Sequence, residues 1–455
     1  MQQWSPATFF ARRATRKIRS DSEFYKRPNW NNTTLTATTA IFTRLLAWRP
    51  GGYLRASGTL FGWLALRTAA QTALFVLVAR SMGAAGYGTL IAVMAVATFF
   101  APLAGLGGQA VMLRDGARNP QQLAMHLGDA LWLWAASVVP LCVLAFVACR
   151  LLVSPVLPAY SVAAIVLADV VGASLLEVLA RTWQAAQRMA GFGATMTGLI
   201  LARLAVFCAL LAVTVPTPAD WALWYGAITA AYLLAATLVV IRVFGRPRRS
   251  GISLSSLTAA GFPFAFAGSA VRVQAEANKP ILARLDAMAG VGVFSAAQRV
   301  TELLLVPLQA LLEALLPRAY RSTPSISTIF VLGAMPLSLA VAGGLVLMAG
   351  AHWLPVLLGE SYAPSANVIR LLAFLPCLFV IRTLLTAVIV GRDGQTHLYW
   401  IYAAGAAAGA SCTLLLVPSF GLTGAAIAAY GSEVAMIAFQ SAILKKARNH
   451  QQGMR

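Results

Sequence analysis

From Ser57 onward the chain is a succession of apolar runs of about twenty residues, broken by short polar or glycine-containing segments. A helix of that length spans a hydrocarbon core about 30 Å thick. The pattern predicts about twelve such helices: 57–80, 87–107, 127–149, 160–180, 191–215, 220–242, 258–280, 291–316, 327–350, 365–390, 396–417 and 422–443. The seventh, eighth and tenth are the more polar ones. The connections are short. The longest on the outer side, near 352–365, is itself apolar, and its LPVLL segment reads as an interfacial turn.

Charge tests the count independently. Lys and Arg collect on the cytoplasmic side of membrane helices. With the N-terminus inside, the outer loops hold only Arg80, Arg150 and Arg284, while the inner segments take most of the rest. An odd number of spans would destroy this alternation. Both termini are therefore expected in the cytoplasm. Residues 1–56 carry ten Lys or Arg against Asp21 and Glu23, and lack the apolar core of a secretory signal. They read as a disordered basic tail on anionic lipid or as a purely topological anchor. A small-residue turn in SMGAAGYG (81–88) recurs in AMAGVGVF (287–294). The spacing divides the chain into lobes at 57–250 and 251–445, followed by a basic tail at 446–455.

Composition agrees. The 455 residues are 59% hydrophobic and 11% charged, where soluble domains have about 25% charged residues. The net charge of +21 sits at the ends of apolar runs rather than on one solvated face, which excludes nucleic acid as a partner. The five cysteines form no CxxC pair, and there is no HExxH, Walker loop or GxGxxG motif. No metal, no cofactor and no enzymatic activity are expected.

The stretch 268–314 breaks the apolar pattern. It places Arg272, Glu276, Lys279, Arg299, Glu302 and Glu313 at or near membrane depth. A charge at the bilayer centre costs about 2.5–3.5 kcal/mol on insertion scales, so such residues turn toward a wet cavity or toward one another. On a continuous helix Arg272, Glu276 and Lys279 lie at i, i+4 and i+7, on one stripe. Pairing of Glu276 with Arg272 or Lys279, and of Arg299 with Glu302, is the structural alternative to a ligand site. Arg203, Arg370 and Arg382 read as packing or boundary residues.

Three segments resemble the polysaccharide-biosynthesis flippases of the multidrug/oligosaccharidyl-lipid/polysaccharide (MOP) exporter superfamily. ALFVLVARSMGAAGYGTL (73–90) is similar to the family's ARxLGxxxYG turn, with Met82 in place of leucine. VGVFSAAQRVTELLLVPLQALLEALLPRAY (291–320) is similar to its GxYsaAxrl helix, with Phe294 in place of tyrosine. VLLGESYAPSANVIRLLAF (356–374) is similar to its GxxYxxA segment, with Ser365 in place of alanine. LLLVPSFGLTGAAIAAYGSE (414–433) is similar to its penultimate loop. The resemblance implies an all-α polytopic membrane protein, its two pseudo-symmetric six-helix lobes flanking a central cavity. It also implies a substrate, a lipid-linked anionic oligosaccharide on a polyprenyl diphosphate, moved from the cytoplasmic to the outer leaflet. Helices one, two, seven and eight are expected to face the cavity. Arg67, Arg272, Lys279 and Arg299 are then the candidate diphosphate contacts, because arginine meets phosphate oxygens with a planar fork. Glu276, Glu302, Glu313 and Asp169 are the candidate ion-coupling groups, with Glu177 and Glu433 behind them. Membrane lipid and a polysaccharide polymerase or export machinery are the further partners. The competing readings are an exporter of another small or amphipathic compound and a non-transporting component of a polysaccharide assembly complex.

Overall fold

The computed structural model describes residues 52–153, 156–285, 288–321, 326–391 and 397–453. Among them there is no strand. That is the expected outcome for an apolar chain in lipid, where a helix satisfies every backbone N–H and C=O internally. In chain order the helices are α1 (Gly52–Phe100), α2 (Gly108–Arg118), α3 (Leu123–Leu152), α4 (Ala159–Val166), α5 (Ala173–Ala185), α6 (Met189–Val213), α7 (Pro218–Phe244), α8 (Leu254–Glu276) and α9 (Asn278–Leu285). They continue with α10 (Met288–Arg321), α11 (Ile326–Gly350), α12 (Trp353–Leu358), α13 (Ser365–Leu372), α14 (Leu375–Gly391) and α15 (Leu398–Gly453). A π-helical segment, Leu167–Gly172, joins α4 to α5.

Among the described residues, nine helical stretches are long and apolar enough to cross a membrane. A tenth is a pair, Glu360–Leu372 and Leu375–Val390, bent by 42°. Two of the nine are double. Phe61–Phe100 has 40 residues and Leu398–Lys446 has 49, each about twice the necessary length. Each breaks at a glycine with left-handed φ: Gly83 (φ 66°, ψ 177°) in α1 and Gly421 (φ 52°, ψ −129°) in α15. Glycine reaches this region without a Cβ penalty, and so lets one continuous apolar sequence fold back as two spans. Counted as crossings, the described helices number twelve, as the apolar runs predict.

The helices from α2 to α7 pack on one another, and those from α8 onward do likewise. The two sets meet where α8 and α9 lie against α2 and α3. Large apolar side chains face outward, led by Val213, Leu415, Val346 and Phe61. The interior is built largely from alanine, including fully buried Ala79, Ala92, Ala97, Ala296, Ala297 and Ala425. Lipid tails are as apolar as leucine, so membrane helices associate through close packing of small residues. Backbones approach closest beside the Gly83 break. A Cβ on Gly292 would sit 2.0 Å from the Ala84 carbonyl oxygen, and one on Gly88 would sit 1.9 Å from that of Met288. Hydrogen bonds close the same end: the Tyr362 hydroxyl donates to the Ala79 carbonyl at 3.1 Å, and the Ala84 N–H donates to Ser361 Oγ at 3.2 Å. Gly292→Val should therefore force α1 and α10 apart. The expected cost is about 1–3 kcal/mol, typical of overpacking a tight contact. It reads out as a lower unfolding midpoint of the detergent-solubilised protein, whereas the same change at Gly245, where a Cβ meets nothing within 4 Å, should show only the backbone strain of its positive φ.

Several boundaries differ from the hydropathy reading. The second span stops at Phe100 rather than at 107, because Pro102 removes a helical donor and crowds the preceding turn. Residues 101–107 turn instead, with positive φ at Gly105, Leu106 and Gly107. The seventh span, expected to reach 280, ends at Glu276. LPVLL lies within the short helix α12. The final helix runs on to Gly453 through much of the basic segment expected as a tail. The basic stretch 1–51 lies outside the described residues.

Candidate functional site

The predicted charges lie in different environments on either side of Ala277. α8 stops at Glu276, and α9 starts at Asn278 with Pro280 in its first turn. The stripe expected through Arg272, Glu276 and Lys279 is therefore interrupted. Lys279 is buried and ion-paired with Glu276. Arg272, on the α8 side of the break, stays exposed. The expected pairing of Glu276 with a neighbouring cation thus occurs, and it uses Lys279 rather than Arg272.

Arg67, Arg272 and Arg299 are the remaining candidate cations. Arg67 is half-buried on α1, close enough to Arg272 for the two charges to repel. Arg299, on α10, lies beside the Tyr87 hydroxyl and within electrostatic range of Glu302 and Glu276. No ion pair joins any of these three arginines to a carboxylate among the described residues. Glu302 instead accepts a hydrogen bond from the Gln298 amide at 2.9 Å. Arg299 and Glu302 line one wall of a recess of about 170 Å³, and Thr68, Gln71 and Thr72 of α1 line the other. An arginine that lines an open recess can offer its guanidinium fork to phosphate oxygens, two at a time.

Asp169 sits in the π-helical segment, buried, with its Oδ1 accepting from the Tyr225 hydroxyl at 2.6 Å. The Arg203 guanidinium stacks 3.6 Å from the Tyr225 ring centroid and donates to Thr229 Oγ1 at 2.7 Å. Arg272 is also within electrostatic range of Asp169. π-Bulges are frequent at functional sites. Glu177, by contrast, pairs with Arg181 one turn away at 3.3 Å on a part-exposed face. The side chain of Glu313 lies outside the described residues.

A larger cavity, about 510 Å³, opens among α8, α10, α14 and α15. The hydropathy pattern gave no sign of it. Its walls mix aromatic and aliphatic side chains with amides and hydroxyls, and it contains Arg382, read from sequence as a packing residue. Arg382 Nε meets Glu433 Oε2 at 2.7 Å, with both side chains buried. Glu302 lines this cavity as well as the Arg299 recess, so the two spaces adjoin. Arg382 and Glu433 lie 51 positions apart on different helices, and no local spacing rule joins them. The one sequence cue was an acid and a base each set alone inside an apolar span.

A family model described as polysaccharide biosynthesis protein matches residues 65–323, more than half of the chain. No curated protein matches. Among solved structures, the chain is similar to the lipid II flippase MurJ in an inward closed conformation, at 9% identity and a TM-score of 0.66, covering 86% of this chain and 87% of that one. It is also similar to an inward-facing multidrug resistance MATE transporter of the MOP superfamily, at 15% identity and a TM-score of 0.59, covering 86% and 99%. A third is the MATE multidrug transporter DinF-BH, at 15% identity and a TM-score of 0.56, covering 93% and 99%. These solved neighbours are transporters and a flippase, and at such identities they establish the fold. With its multi-pass helical architecture and the match over residues 65–323, the chain belongs to the polysaccharide biosynthesis protein family and carries the fold of the MOP-superfamily transporters.

Proposed function

We propose that this protein is a flippase that moves a polyprenyl-diphosphate-linked oligosaccharide from the cytoplasmic to the outer leaflet of a bacterial inner membrane. The observation that carries the reading is the family match over residues 65–323 together with three span arginines, Arg67, Arg272 and Arg299, none ion-paired to a carboxylate among the described residues. Cations without an ion-pair partner at membrane depth are costly, which a fold concerned only with packing would avoid. A diphosphate would supply that negative charge, with Arg299 offering a cation in the recess beside α1.

The lobes 57–250 and 251–445 would rock about the bound headgroup, both termini staying cytoplasmic, while the polyprenyl tail remains in lipid. Each negative charge carried outward gains about 2.3 kcal/mol per 100 mV of inside-negative potential. Export therefore has a driving force without nucleotide. Glu302, between the Arg299 recess and the larger cavity, and buried Asp169 are the groups best placed to couple an ion to that movement; Glu276 is already committed to Lys279.

The test is reconstitution. Proteoliposomes holding the full chain and a polyprenyl-diphosphate oligosaccharide should move the sugar to the opposite leaflet, read by lectin capture, and do so faster under an imposed potential that favours anion transfer. Equal lectin capture with and without protein, or protein-dependent movement of tetraphenylphosphonium alone, would overturn the proposal in favour of a different exporter.

A further inference from the structure

We infer that the 510 Å³ cavity of the C-terminal lobe is a sugar-binding pocket, which receives the uncharged part of the headgroup while the diphosphate stays with the arginines. This inference rests on the flippase reading and adds to it where the sugar goes and what kind of sugar fits.

The charge balance of the cavity argues against an anion. Among the described residues its one cation, Arg382, is already answered by Glu433 at 2.7 Å, and Glu302 adds a second carboxylate. A diphosphate placed there would meet two acids and one occupied base. The remaining polar groups are neutral. Gln274 on α8, Thr383 on α14 and Ser432 on α15 stand on three different walls, and Phe379 and Tyr402 supply aromatic surface. Hydroxyls and amides beside aromatic faces are the complement of a sugar ring, which presents hydroxyls at its rim and C–H groups on its face. A cavity of this size also lies within the range of small-molecule sites, about 300–1,000 Å³.

Position argues the same way. Gln298 holds Glu302 at the boundary between this cavity and the Arg299 recess. A molecule with a diphosphate at Arg299 and sugars attached beyond it would cross that boundary and enter the pocket. The polar walls are also held in place. Gln274 donates to Ser432 Oγ at 3.2 Å, Ser432 donates to the Gly405 carbonyl at 2.9 Å, and Asn278 accepts from Thr413 Oγ1 at 2.8 Å. A pocket whose donors are fixed before binding loses less entropy when a ligand enters.

The experiment compares two lipids on the full chain in nanodiscs: bare undecaprenyl diphosphate, and the polyprenyl-diphosphate oligosaccharides extracted from membranes of the source cells. The wild type should bind the sugar-bearing lipid at least tenfold more tightly. The double variant Gln274→Leu/Thr383→Val should lose five- to tenfold in affinity for the sugar-bearing lipid and keep its affinity for the bare one. Ala429→Phe, which puts an aromatic ring into the cavity, should bring the two affinities together. Retained binding of the bare lipid shows that each variant is folded. Equal wild-type affinities for the two lipids, or parallel losses in the pocket variants, would overturn the sugar pocket while leaving the flippase reading intact. Failure of the wild type to bind either lipid would overturn both. Tetraphenylphosphonium binding that Ala429→Phe abolishes, without any preference for sugar, would make the cavity a cation site and overturn the inference.

Discussion

Replacing Arg272 and Arg299 together by alanine is expected to reduce export of lipid-linked sugar by a hundredfold or more. A hydrogen bond to a charged group contributes about 1.5–3 kcal/mol, and each 1.4 kcal/mol is tenfold in affinity. Either arginine alone should then cost ten- to a hundredfold. Their losses need not add, because both would contact one diphosphate. Neither arginine holds a carboxylate in an ion pair among the described residues, so truncation breaks no ion pair and the protein should still reach the membrane, which the normalisation to membrane protein checks. Arg272→Lys should recover part of the activity, since it keeps the charge and loses the two-pronged geometry. Lys279→Ala makes the informative contrast. It removes a buried ammonium and leaves the part-buried Glu276 without its partner, so it should lower abundance and thermal stability before it alters substrate preference. The measurement is lectin accessibility of lipid-linked sugar in cells whose only copy is the variant, normalised to membrane protein by immunoblot. Normal export by the double variant would remove the physical basis of the diphosphate site.

The sequence was most informative where one local property decides the outcome. Hydropathy was enough for twelve helical crossings, because a bilayer imposes a fixed length. The turn at Gly83 was also legible, since SMGAAGYG is a cluster of small residues at the end of an apolar run. What could not be read was which charge meets which. Arg272, Glu276 and Lys279 have ideal helical spacing, yet Lys279 is buried against Glu276 while Arg272 stays exposed, a difference set by the neighbouring helices and not by the spacing. Asn278 followed by Lys279 and Pro280 was the available signal of the helix break: a proline in the first turn of a new helix marks a new start. Tyr87 belonged to a recognisable turn motif, yet nothing local predicted that its hydroxyl would lie beside Arg299 on another helix. Arg203 and Arg382 looked alike in sequence, each a lone arginine in an apolar run. Folding gives one an aromatic ring and a threonine, and the other a glutamate.

That last contact carries the largest expected effect on stability. Arg382→Met should destabilise the folded protein by about 3–5 kcal/mol, the typical result of removing one partner from a buried ion pair. Glu433 would remain enclosed beside apolar walls with its charge unanswered. Glu433→Gln should be less damaging, because the guanidinium keeps the Phe379 ring at 4.9 Å and the Tyr402 hydroxyl at 3.5 Å, and can still donate to the glutamine carbonyl. The double variant Arg382→Met/Glu433→Leu should regain most of the loss, since replacing both charges by packed apolar groups removes the desolvation cost along with the attraction. Thermal unfolding of the detergent-solubilised variants measures this cycle. A large deficit in Arg382→Met that the double variant repairs would identify the pair as mutually neutralising. Near-additive losses would instead mean that each residue has a separate partner, and Arg382 would then be free to act as a fourth cation for the diphosphate. The sugar-pocket argument requires the first result, because a cavity whose cation is occupied can welcome hydroxyls and amides but has nothing left for phosphate.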